Sequence, residues 1–396
     1  MTDASGTPSG LRRVMTREFQ RMRARRMYTF LILLLPFLGW FILLNVFINR
    51  VPRKLPIAVI DLDHSALSRQ VVRAIDATPS AHIVDRAPDT FDAEGILRRG
   101  EAYAVVLLPE GLERRVGRGE APPVSVFYNA QWMLPGSLIT RDLRAAVGTL
   151  STQMDIGAQM AQGASREQAI ARANPIRVAM HALFNPSLDY AAFLLLALIP
   201  TLIQVFVLVM AVQVVGIELR EGTADQWLTA GGGRVATALA GKLLPYALWF
   251  TVLHIGLFEV TLRWLGLEMA GSRVMLYLGI ALFTLAYQGL GLLLVTLTAN
   301  LRLSLSLAGV LAGPAFAVAG VSYPLFAMPL AGRIWAALLP LSHHLALQSQ
   351  QALAGAPLAV SLPSLAALLA FVVILPLLCL RRLRRVLPDA AFWGRQ

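Results

Sequence analysis

Residues 217–227 read Ile-Glu-Leu-Arg-Glu-Gly-Thr-Ala-Asp-Gln-Trp, a charged island between two long apolar runs at 190–215 and 235–262. Its carboxylates, Glu218, Glu221 and Asp225, together with Arg220, offer a polar surface that a soluble partner can grip. Gly222 permits a sharp bend. Thr223 is placed to cap a short helix running through Trp227, with Gln226 at its third position. A rigid helix joined to two spans can carry a partner's rigid-body movement into a membrane. Composition alone fits an ordinary solvated loop equally well.

Other chemistry is sparse. Gly241-Lys242 is followed by Leu243, with Ala236 where a phosphate-binding loop needs its first glycine, and neither His-Glu-x-x-His nor Gly-x-Ser-x-Gly occurs. Any ATP used must therefore bind another chain. His343-His344 lacks a nearby carboxylate or cysteine ligand, so interfacial side chains are expected rather than a metal site. Glu259 and His254 lie inside an apolar run, where ionisable groups are costly and often functional. An i,i+4 ion pair from Glu259 to Arg263 accounts for the first without a transport role. Gln204, Gln213 and Gln288 either line a pathway or bond between helices. The single cysteine, Cys379, excludes an intrachain disulfide and a cysteine metal site.

The elements that must position these residues are membrane spans. The 396 residues are 56% hydrophobic and 15% charged, and several apolar runs exceed the ~20 residues that cross a bilayer. The net charge of +12 is concentrated beside the first and last of these runs, at Arg12–Arg26 and Arg381–Arg385. That placement indicates topology and contact with anionic lipid rather than nucleic acid. Residues 1–26 form a tail and a basic amphipathic helix from Leu11, or a simple topogenic charge cluster. Residues 27–49 form span 1, a retained anchor. Residues 50–188 mix charges of both signs and read as a compact α/β domain. Its strands are expected at 55–62, 103–108, 124–128 and 177–184, and its helices at 65–77, 89–99 and 138–160. Residues 189–380 supply spans 2 to 6, at 190–215, 235–262, 274–299, 304–318 and 362–380. Pro324, Pro329, Pro340 and Gly320 break 320–340 into a re-entrant pair of short helices, followed by a loop over 342–361. A basic tail, 381–396, closes the chain. The expected class is therefore a polytopic α-helical membrane protein with six spans, both termini cytoplasmic and the α/β domain outside.

The island, extended to Leu228, resembles the Glu-Arg/Lys-Glu-x-Gly-Thr-x-Glu-x-Leu coupling helix of type-2 ABC export permeases. Residues 13–36, including Arg17, Glu18 and Phe19, resemble that family's interface helix running into span 1. Phe184-Asn185-Pro186 resembles the segment closing its external domain. Gly320-Val-Ser-Tyr-Pro324, Met328-Pro329 and Leu339-Pro340-Leu341-Ser342-His343 resemble its re-entrant segment, and Gly241-Lys242-Leu-Leu-Pro245-Tyr246 the start of its third span. Asp225 replaces the usual glutamate, and Gly231-Gly232-Gly233 the usual proline-containing turn. The layout is similar to the subgroup with a large external domain between the first two spans (type V exporter architecture). The resemblance implies a bacterial inner-membrane permease that is not itself an enzyme and binds no cofactor. ATP and Mg would sit on separate cytoplasmic ATPase subunits. A second permease copy or paralogue would complete a dimer, a periplasmic membrane-fusion adaptor would be a further partner, and the substrate would be hydrophobic or amphiphilic. The competing reading is a non-transporting receptor or scaffold that displays residues 50–188.

Overall fold

The computed structural model describes residues 10–173, 185 and 189–392, and the chain divides into two compact units, Met1–Arg50 with Ala182–Gln396, and Val51–His181. The smaller unit is α/β. Its elements run β1 (Leu55–Asp61), α3 (Ala66–Asp76), β2 (Ala81–Arg86), α4 (Thr90–Arg99), β3 (Ala104–Leu108), α5 (Leu112–Gly117), β4 (Ser125–Tyr128), α6 (Met133–Ala161) and α7 (Arg166–Ala173). The sheet order is β2-β1-β3-β4, with β1 parallel to β2 and β3, and β4 antiparallel to β3. Alternation along β1 and β3 sends Ile57, Val59 and Val106 to one face, against Leu67, Val71 and Ile75 of α3 and Ile139 and Leu143 of α6. It sends Ala58, Ile60 and Val105 to the other face, against Ala93 and Ile96 of α4. Ser65 and Asp89 cap α3 and α4 through the N–H groups of Ser68, Phe91 and Asp92. Three elements go beyond the sequence expectation, β2, α5 and α7, and α6 begins at Met133 rather than 138. The strand expected at 177–184 lies outside the described residues.

The larger unit is helical: α1 (Leu11–Ala24), α2 (Arg26–Val46), α8 (Tyr190–Arg220), α9 (Ala224–Ala230), α10 (Val235–Trp264), α11 (Arg273–Thr298), α12 (Leu301–Ala312), α13 (Leu330–Ala337), α14 (Pro340–Gln348) and α15 (Leu358–Val386). Among the described residues, five helices are long and apolar enough to cross a membrane: α2, α8, α10, α11 and α15. The fifth expected span, 304–318, is helical only as far as Ala312. From Gly313 the backbone is irregular up to a single 3-10 turn, Leu325–Ala327.

Prolines inside spans leave carbonyls without their helical donors, and neighbouring helices take them up. Pro36 cannot donate to Ile32, and the indole Nε1 of Trp249 in α10 donates to that carbonyl instead, at 3.0 Å. Pro200 likewise frees Leu196, whose carbonyl accepts from Gln348 Nε2 at 2.8 Å. In hydrocarbon, where no water can substitute, such pairings decide whether a broken helix is tolerated.

Residues 342–361 are not a loop. Pro340 opens α14, which continues into a π-helical turn, Ser349–Leu353, and both are largely buried. The helical pair in this region is thus α13 and α14, displaced toward the C-terminus of the expected 320–340. His344 is fully buried rather than interfacial, packed against His254 of α10 with ring centroids 5.2 Å apart and against Phe283 of α11 at 4.5 Å. Glu259 does not pair with Arg263; it accepts from the Tyr277 hydroxyl at 2.6 Å and lies 3.5 Å from Arg273. Among the described residues, both ring nitrogens of His254 and of His344 lack a hydrogen-bond partner. A buried unpaired polar atom costs about 1–3 kcal/mol. The double variant His254→Phe, His344→Leu is therefore expected to melt at the same temperature as the parent or a few degrees higher, which a thermal unfolding scan in detergent will read.

Candidate functional site

The charged island is two structures, not one. Nothing in Ile217–Arg220 breaks a helix, so α8 runs on through it and stops only at Glu221. The stop is a Schellman motif. The N–H of Thr223 donates to the Glu218 carbonyl at 2.9 Å and that of Gly222 to the Leu219 carbonyl at 3.3 Å, with Gly222 left-handed at φ 65°. Then α9 begins. Thr223 holds its N-cap position but makes no capping bond; its hydroxyl donates to the Glu218 carboxylate instead. The three glycines that follow close α9 in the same way. Gly232 donates to Thr229 and Gly233 to Leu228, both at 2.9 Å, and Gly232 takes φ 71°.

These turns sort the island into an inner and an outer face. Glu218 and Trp227 are fully buried, whereas Arg220, Glu221, Asp225 and Gln226 are exposed. The Trp227 indole donates to the Ala238 carbonyl at 3.0 Å and pins α9 to the first turn of α10. Glu218 is no part of a surface. Its Oε1 receives the Lys242 ammonium at 2.7 Å and Arg17 at 2.9 Å, Arg21 also bonds to it, and its Oε2 accepts from Thr223 and from Arg17.

Lys242 is the other centre. It has no exposure, yet its ammonium reaches Glu18 Oε2 at 2.7 Å as well as Glu218, and lies 5.3 Å from the centre of the Trp227 ring. Glu18 is buried in turn and accepts from the Tyr246 hydroxyl at 2.8 Å. The sequence explains the convergence. Arg17, Glu18 and Arg21 share one face of α1, and Lys242 and Tyr246 share one face of α10 at i,i+4 spacing. Gly241 lets the two helices approach: a Cβ there would sit 2.7 Å from Val14 Cβ and 3.0 Å from the Leu11 carbonyl oxygen. Around this core, Glu221 is held more loosely by Arg25 at 2.6 Å and Arg21 at 3.5 Å. Burial of Arg21 works against its charge, but the fields of Glu218 and Glu18 outweigh it and raise its pKa above the usual arginine value.

The expected site residues thus fall into two groups. Arg17 and Glu18 of α1 join Glu218, Glu221, Gly222, Thr223 and Trp227, while Phe19 is exposed and takes no part. Gly320, Pro324, Pro329 and Pro340 belong elsewhere. Gly320 is left-handed at φ 87°, and the prolines open the 3-10 turn, α13 and α14. Gly320 lines a cavity with Ala192, Phe193, Leu196 and Ala197 in the first two turns of α8, roughly 30 Å along the helix from Glu218. Sequence reading passed over Lys242, Tyr246 and Arg21 as site residues. A lone lysine two turns inside an apolar run was the available signal for the first. Asn185 of the Phe-Asn-Pro segment bonds twice with the Asp189 backbone, at 2.9 Å each way, and Asp189 caps α8 and receives Arg50 at 2.6 Å; Phe184 and Pro186 lie outside the described residues. Among the described residues no cluster of three or more His, Cys, Asp or Glu could hold a metal.

What this arrangement can do is mechanical. An ion-paired joint locks a surface helix, the end of one long helix and the start of the next into one piece, with Arg220, Glu221, Asp225 and Gln226 facing outward from it. A family model described as ABC-2 family transporter protein matches residues 26–381. No curated protein matches the chain.

Proposed function

The chain belongs to the ABC-2 transporter family, and from that premise we propose that it is the permease of an exporter driven by separate cytoplasmic ATPase subunits. It is a multi-pass membrane protein and a permease subunit of an ABC transporter. In the proposed reading the ATPase grips Arg220, Glu221, Asp225 and Gln226. Closure of the nucleotide-bound motors moves α9, and the buried ion pairs pass that movement to α1, α8 and α10 together. A second permease copy or relative completes the transport route, and the substrate is hydrophobic or amphiphilic. ATP and Mg belong to the partner.

The observation that carries the reading is the joint centred on Glu218 and Lys242. A solvated loop has no use for two carboxylates and an ammonium buried together, because the desolvation of each ion costs several kcal/mol. Orientation follows from charge. α1, the end of α8 and the Arg382 side chain bonded to the Leu297 carbonyl bring the basic flanks to one end of the helical unit, which the positive-inside rule assigns to the cytoplasm. On that assignment residues 51–181 lie outside, where an adaptor could meet them.

The test is affinity purification of the chain from its native membranes in mild detergent. An ATPase with a phosphate-binding loop is expected to copurify, and inside-out vesicles carrying both are expected to show ATP-dependent uptake. A pure permease with no such companion, or removal of the exposed island with partner binding and function intact, favours the receptor or scaffold reading.

A further inference from the structure

The two edges of the α/β sheet are finished differently. β2, at one edge, exposes His82, Asp85 and Arg86. The Ile83 N–H is taken by the Asp76 carboxylate at 2.9 Å and the Arg86 N–H by Asp85 at 2.7 Å. Charges and occupied donors of this kind keep an edge from pairing with another chain. β4, at the other edge, has none of them. Ser125-Val126-Phe127-Tyr128 is uncharged and pairs with β3 without a bulge. Phe127 and Tyr128 are about half exposed, at 52% and 48%.

Register decides which backbone groups are left over. The Asn129 N–H donates to the Tyr103 carbonyl at 2.9 Å. By the alternation of an antiparallel ladder, Phe127 then exchanges hydrogen bonds with Val105, and Val126 and Tyr128 turn their N–H and C=O groups away from β3. Among the described residues those groups meet no partner. Open space flanks the same edge on both faces of the sheet. A cavity of about 360 Å³ between β4 and α6 is lined by Val126, Tyr128, Leu143 and Val147, with Arg144. Another of about 290 Å³ between β4 and α4 is lined by Phe127, Val105, Ala93 and Leu97. A strand laid beside β4 sends alternate side chains to those two faces. Arg144 is exposed and has no carboxylate partner among the described residues, so the face toward α6 favours an acidic residue.

We propose that β4 is a docking edge for an extended segment of a separate protein. Main-chain hydrogen bonds to Val126 and Tyr128 hold the segment, its aliphatic side chains enter the two cavities, and a carboxylate meets Arg144. The partner's extracytoplasmic location rests on the permease reading above, but the docking itself does not. The full-length protein, reconstituted in phosphatidylcholine nanodiscs without ATPase, is to be titrated with the fluorescein-labelled peptide Thr-Ile-Val-Glu-Val-Ile-Thr. Counterparts carry lysine for its glutamate or proline for both valines. The acidic peptide is expected to bind roughly threefold to tenfold more tightly than the lysine peptide, with the preference reversed in Arg144→Glu, and the proline peptide at least about tenfold more weakly. Val126→Pro removes an N–H that points away from β3, a position where a strand tolerates proline. It is expected to keep the thermal midpoint of the parent and to weaken binding about tenfold or more, whereas Val126→Ala stays within about threefold. The Val126 and Tyr128 amides are expected to exchange with deuterium rapidly in the free protein and at least about tenfold more slowly with saturating peptide. Binding unchanged in Val126→Pro, or an acidic preference unaltered in Arg144→Glu, overturns the proposal. So does protection of those amides in the free protein, whether a second copy or another stretch of this chain supplies it. ATP-dependent uptake by the vesicles is measured separately. Uptake that persists when the peptide pattern fails overturns the docking edge and not the exporter; binding as expected without uptake does the reverse.

Discussion

Replacing Glu218 by glutamine is expected to abolish ATP-driven transport and to destabilise the helical unit by about 3–5 kcal/mol, the usual penalty for removing one partner of a buried ion pair. The arithmetic of the joint explains the size. Arg17, Arg21 and Lys242 converge on Glu218 and Glu18. Without Glu218, Lys242 keeps only Glu18, and the two arginines face a neutral amide where they had a carboxylate. Glutamine preserves the shape and an acceptor for Thr223, so the loss is one of charge. Thermal unfolding of the purified complex measures the stability, and vesicle uptake at equal permease content measures the transport. Wild-type values for both would mean that the ion pairs carry neither load nor stability. Glu221→Gln is the internal comparison: its carboxylate is about a third exposed, and exposed pairs contribute at most about 1 kcal/mol.

Gly222→Pro is expected to abolish transport while leaving membrane insertion intact. The residue ends α8 at φ 65°, a conformation that proline, fixed near −65°, cannot adopt. Proline also removes the N–H that reaches the Leu219 carbonyl. The bend between α8 and α9 would be lost and the outward face of α9 re-aimed, with no span altered. Gly222→Asn is the control, since asparagine tolerates the left-handed region, and it should retain most of the activity. Quantifying uptake against membrane-fraction abundance separates the two variants. Equal loss in both would implicate the side-chain volume at 222 and not the backbone turn.

Much of the frame was legible in the sequence because it depends on local pattern. The apolar lengths located the long helices, and the β-branched run at 55–62 gave β1 to within a residue. Asp89 and Ser65 announced the helices they cap. What escaped depends on distant partners. β2 carries His82, Asp85 and Arg86 and, as an edge strand with one neighbour, shows little of the apolar alternation that marks β1. The polar run Ser342-His343-His344 followed by Gln348, Gln350 and Gln351 reads as solvent-facing, but Ser342, His344, Gln348 and Gln351 are buried, with His343 and Gln350 half-buried. Gln351 bonds to its neighbours Ala356 and Ser361 but also to Ser272, 79 positions away, which no short window of sequence contains. The site divided along the same line. Gly222 and Trp227 stand out by type and spacing. Glu18 and Lys242 are 224 positions apart, and their meeting depends on Gly241 bringing two helices close enough for the ions to touch.

That separation also bears on how the protein is made. The amphipathic segment at Leu11–Ala24 leaves the ribosome before the α/β unit, yet the two side chains that neutralise its inner face, at 218 and 242, are synthesised only after that whole unit and most of the next long helix. Until then its arginines have anionic headgroups to rest on, and Glu18 has no lysine. The segment is therefore expected to rest on the lipid surface during translation and to dock as a late step. A nascent chain halted before residue 242 would leave it undocked, open to protease at sites that the finished protein covers.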